Sequence, residues 1–120
     1  MTDIKNIADE ILGKIKLLER MQVEIRDRSV EKAQNGAEYE KQLAIVIIKL
    51  KNGVEIELEG NKICNPPATI LEKIARGICW ESKLKADESE ALYKSLIANI
   101  DSVQSQLNGL QSINRYLDKI

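Results

Sequence analysis

A chain of 120 residues, 43% hydrophobic and 31% charged, can form one domain with a modest core and is too short for several. Its net charge of −1 excludes bulk electrostatic adhesion to nucleic acid or membrane, so any anion site has to be a local patch. The absence of His removes the commonest general base and metal ligand, and 3% aromatic residues argue against a β-sandwich or a large aromatic-lined enzyme pocket.

The two cysteines, Cys64 and Cys79, are too far apart for a CxxC pair and lack the further ligands of a tetrahedral zinc site. Asp3, Asp9 and Glu10 stand where a signal peptide would need an apolar run. The thiols are therefore expected as buried small hydrophobes in a reducing, cytoplasmic compartment. The longest apolar run, Leu43–Ile48, is far below membrane-spanning length.

In chain order, the first expected helix covers about residues 3–34. Ile4, Ile7, Ala8, Ile11, Ile15, Leu18, Met21 and Ile25 recur at three- and four-residue steps, and Thr2 or Asp3 is placed to cap the start. Val30, Ala33 and Ala37 carry the period onward, while Asn35-Gly36 either ends the helix or loosens it. Tyr39, Leu43, Val46, Ile47 and Leu50 favour a second helix over about 37–51, stopped by Asn52-Gly53. A strand is the rival there, because Ile45–Ile48 is β-branched and Asn-Gly is a hairpin turn signal.

Val54–Glu59 then alternates apolar and acidic residues, and Gly60-Asn61 reads as a turn into Lys62–Cys64, giving a β-hairpin over about 54–64. A lone hairpin is marginal in water, so its Val54, Ile56 and Leu58 face must lie on helices or on another subunit. Pro66 and Pro67 end it. Thr69 with Glu72 reads as a capping box for a short helix over about 69–76, and Arg76-Gly77 as its end or a kink.

A long last helix is expected over about 79–119. Leu96, Ile100, Val103, Leu107, Leu110, Asn114 and Leu117 form a coiled-coil seam in which Asn114 is the polar, register-setting member. From Ser95 to Asn114 the only formal charge is Asp101, and such depletion points to contact on more than one face. These seam residues are accordingly the expected oligomer interface. The fold class read from the whole chain is a single, mainly α domain over 1–120: long antiparallel helices in a coiled-coil-like hairpin or bundle, with one small β-hairpin.

No catalytic residues, metal ligands or cofactor site can be assembled. A Ser or Cys nucleophile would need Lys or a carboxylate as base, and no context suggests one. Glu55, Glu57 and Glu59 read as the wet face of their strand, and the scattered glycines form no phosphate loop. The candidate ligand-binding residues are Arg76, Trp80 and Lys83 at the helix junction, where guanidinium and indole suit a phosphate-bearing base. In the bland alternative Trp80 packs one helix on the next and Arg76 meets a carboxylate. Arg20, Arg26 and Arg28 form a basic stretch for nucleic acid or an acidic partner, weakened by Glu19, Glu24 and Asp27 between them.

Pro67–Gly77, Glu90-Ala91-Leu92-Tyr93-Lys94 and Ser105-Gln106-Leu107-Asn108-Gly109-Leu110-Gln111-Ser112 resemble segments of small uncharacterised coil-containing proteins of phages and prophages of Gram-positive bacteria. The resemblance covers about the last half of the chain, and the Val54–Cys64 segment departs from it. It implies an early, non-virion accessory protein in the bacterial cytoplasm, associated with phage DNA recombination or replication, and it supplies no active-site residues. Three functions follow as expectations. The first is a non-enzymatic accessory that works by binding and self-association. The second is an anti-defence protein that sequesters a nucleotide signal or a host protein. An enzyme with a site built across subunits is the most remote.

Overall fold

The computed structural model describes residues 4–119. The proposed caps Thr2 and Asp3 lie outside the described residues. Three helices and one hairpin make up the fold: α1 (Ile4–Lys51), β1 (Ile56–Leu58), β2 (Asn61–Ile63), α2 (Leu71–Ile78) and α3 (Trp80–Asp118). Mainly α with a small antiparallel sheet is thus the observed class. Residues 37–51 are helical, and β1 and β2 lie inside the expected hairpin. The contacts divide into two compact units, one holding the chain up to Ser29 and from Ala91 onward, the other Val30–Glu90.

The expected interruption at Asn35-Gly36 is absent: α1 runs unbroken through both residues. One Gly costs only about 1 kcal/mol in a helix interior, which the packing of the flanking turns outweighs. A Cβ on Gly36 would meet nothing within 4 Å. Gly36→Ala should therefore stabilise the protein by about 0.5–1 kcal/mol in chemical denaturation. A loss of stability would mean that the bare backbone at Gly36 serves a close contact.

In the Val30–Glu90 unit, Tyr39, Leu43, Val46 and Leu50 of α1 form a core with Leu71, Ala75 and Cys79. Leu71 and Ala75 of α2 and Cys79 directly after it recur every fourth position and so share one face. Ala75 is completely covered, and its single methyl lets α2 lie close to α1. Ile56 of β1 and Ile63 of β2 stand directly opposite each other and pack against the same core. The hairpin is thus held by helices of its own chain, whereas Val54 stays 44% exposed and outside that face.

Local chemistry accounts for the ends of these elements. Gly53, at φ +77°, closes α1: its N–H donates to the Leu50 carbonyl and the Val54 N–H to the Lys49 carbonyl. This is a Schellman stop, which needs the left-handed conformation that glycine adopts freely. The hairpin turn is Glu59-Gly60, at φ +48° and +81°, rather than Gly60-Asn61. Two consecutive left-handed residues give the type I′ twist that matches a two-residue hairpin, and Asn61 is thereby released into β2.

The capping box does not form. Thr69 lies in the turn before α2, the cap position falls on Ile70, and no side chain caps the helix. The Ile70 N–H instead donates to the Pro67 carbonyl, which tightens the chain after the two prolines. Gly77 sits inside α2, and the irregularity comes two residues later at Cys79. Helical hydrogen bonding persists across it: the Cys79 N–H donates to the Ala75 carbonyl, and the Cys79 carbonyl accepts from the Lys83 N–H and the Ser82 hydroxyl.

In the other unit, Leu96, Val103 and Leu107 of α3 are buried, and Ile100, Leu110, Asn114 and Leu117 are half-buried, within one chain. The seam assigned to subunit pairing is therefore occupied inside the chain. Its partner is the α1 half of the same unit, where Ile7 is buried and Ile11, Leu18, Met21 and Ile25 are half-buried. A 4–3 spacing specifies a helical partner without saying to which chain it belongs, and α1 supplies a matching row. That row steps through Lys14 where the apolar pattern suggested Ile15, which remains 36% exposed with Ile4 and Leu12. A lysine stem can cover apolar surface while its ammonium reaches water.

Candidate binding surfaces

The cations at the α2–α3 junction are held by their own helices. Arg76 Nη2 lies 2.7 Å from Glu72 Oε1, and Lys83 Nζ donates to Asp87 Oδ1 at 3.1 Å; both are pairs one turn apart. The Asp87 hydrogen bond, helped by its charge, pushes the Lys83 pKa up. The same ammonium sits 5.3 Å from the centre of the Tyr39 ring. Trp80 is 47% exposed, so the junction packs on Cys79 and leaves the indole largely at the surface. Arg76 thus follows the bland reading and Trp80 does not.

The basic stretch of α1 does not gather into one patch. Arg28 is half-buried on the seam row, with Nε 3.8 Å from Glu24 Oε1, while Arg20 and Arg26 are exposed. Six residues apart, Arg20 and Arg26 point about 120° away from each other around the helix. Arg20 borders a depression with Lys16, Glu19 and Val23, where two cations face one carboxylate.

Nothing in the thiols favours chemistry. Burial pushes the Cys79 thiol up, away from the thiolate form that a nucleophile needs. Cys64 is exposed, contrary to expectation: Ile63 packs on the core, and the next residue of an extended chain points to the opposite face. Its Sγ lies 3.7 Å from the Gly53 carbonyl and 3.6 Å from Asn65 Nδ2. Among the described residues, no group of three His, Cys, Asp or Glu side chains could hold a metal ion, and no helix is long and apolar enough to cross a membrane.

Two surfaces stand out instead. The first is the side of α3 turned away from its seam. Ala91, Ser95, Ala98, Ser102, Ser105, Gly109 and Ser112 follow 4–3 steps there, and all are exposed. Leu92 and Ile113 flank them with about half of their surface in solvent, and Tyr116 follows at 68%. The outermost positions of a paired helix are normally its most charged, and here they carry no charge.

The second surface was not foreseen: a groove of about 640 Å³ in the Val30–Glu90 unit. Glu38, Gln42 and Val46 form its α1 wall, and Ile78, Ser82, Leu84 and Lys85 lie across it, with Glu81 and Glu88 alongside. The sequence carried a signal, since Glu38-Gln42-Val46 and Glu81-Lys85-Glu88 recur one turn apart. Nothing in the sequence sets these two rows side by side. Compared with protein-family models, with curated proteins and with solved structures, the chain has no match.

Proposed function

We propose that this protein is a non-enzymatic accessory that acts by binding and self-association, with α3 pairing to α3 of a second copy through its outer face. The observation that carries this reading is the exposed, uncharged row Ala91–Ser112. Serine, alanine and glycine keep helix axes close, and Leu92 and Ile113 would be covered at the margins of the contact. The interface thus moves from the seam to the opposite side of the same helix. The setting, an accessory of phage DNA recombination or replication, rests on the resemblance of Pro67–Leu117.

Light scattering should find a dimer or larger assembly at micromolar concentration. Ser105→Arg, which sets a charge in the middle of the row, should weaken association at least roughly tenfold, whereas Ser105→Ala should leave it unchanged. A monomeric parent protein would overturn the reading. The second reading, a phage inhibitor of host defence that captures a nucleotide, is favoured by one feature: the half-exposed indole of Trp80 four residues from Arg76.

A further inference from the structure

We infer that the groove between α1 and the α2–α3 junction is a docking site for a basic amphipathic helix of another protein. Its floor is apolar, from Val46 and Ile78, and Leu84 is 49% exposed at its margin. Its rim carries three carboxylates, Glu38, Glu81 and Glu88, against one ammonium, Lys85. Glu38 accepts a hydrogen bond from Gln42 Nε2 at 2.8 Å, a neutral donor that leaves its charge uncompensated. The groove is therefore locally acidic in a chain of net charge −1, so the complementarity belongs to the site and not to the whole molecule.

An apolar trough with an anionic rim selects a particular occupant. Leucine- or isoleucine-sized side chains at three- and four-residue steps fill the floor, and Lys or Arg on either side meets the rim. A volume of about 640 Å³ holds a few such side chains and is ample for one helix face. Anionic ligands, nucleotides and nucleic acid included, are repelled from this rim, which separates the groove from any phosphate site. The groove and the outer face of α3 lie in different units, so failure of one proposal leaves the other standing.

The test is titration of the full chain with a synthetic amphipathic helix of Lys and Leu, read by calorimetry and by the emission of Trp80, the only tryptophan. Saturable binding that weakens with salt is expected. Glu38→Gln, Glu81→Gln and Glu88→Gln together should weaken it roughly tenfold. Leu84→Ser, at an exposed position that leaves the core intact, should weaken it by a similar factor. Undiminished binding to the triple variant, or equal binding of a Lys–Leu peptide with its apolar face scrambled, would overturn the proposal. So would dissociation of the parent assembly by Leu84→Ser, because the occupant would then be a second copy of this chain.

Discussion

Leu50→Ala is expected to lower the free energy of unfolding by about 2–5 kcal/mol, among the large losses of a buried core truncation. Leu50 is 1% exposed in the last turns of α1, where the Schellman stop begins, and it belongs to the core that receives α2 and the hairpin. Removing its isobutyl group leaves a void on several elements at once, and the Gly53 turn limits how far α1 can shift to close it. Urea denaturation followed by circular dichroism measures the effect. A loss below about 1 kcal/mol would mean that the hairpin is too loosely seated to enclose a cavity.

Leu107→Ala is expected to cost about 2–3 kcal/mol, somewhat less because a layer of two helices relaxes more easily around a void. Its diagnostic value lies in where the loss appears. Leu107 is 6% exposed within one chain, so the cost should be the same in the Ser105→Arg background, whose proposed effect is to weaken self-association. Were the seam shared between chains, the Leu107 penalty would depend on protein concentration and would fade in the monomer. Thermal melts over a wide concentration range distinguish the two cases.

Much of this fold was legible because periodicity is local. The repeat of Tyr39, Leu43, Val46 and Leu50 outweighed the β-branched run Ile45–Ile48, since a helix of this length buries the whole row on one face. The alternation after Gly53 placed the hairpin. Finer features depended on competing bonds. The Pro67–Ile70 turn, closed by the Ile70 N–H on the Pro67 carbonyl, puts the cap position on Ile70 and not on Thr69, and Gly60 moved one place in the turn because Glu59 accepts a left-handed conformation.

The candidate sites were harder to read, since side-chain chemistry depends on neighbours that spacing does not reveal. Arg76 and Lys83 are candidate cations by residue type, yet Glu72 and Asp87, each four residues away, pair with them. The seam from Leu96 to Leu117 was visible as a seam, but no spacing can say whether its partner helix comes from the same chain. The acidic groove needed two distant rows to meet, and that is a property of the folded unit alone.

The 4–3 rhythm of the first unit has a geometric consequence. Seven residues complete two turns of a straight α-helix less about 20°, so a row that repeats every seven residues drifts around the helix. For Leu96–Leu117 to keep facing α1, the two helices must coil around each other with a left-handed twist. The outward row from Ala91 to Ser112 has the same repeat and therefore winds with them. A partner helix laid along it would have to curve in the same sense, so the handedness set inside one chain would be imprinted on whatever assembles outside it.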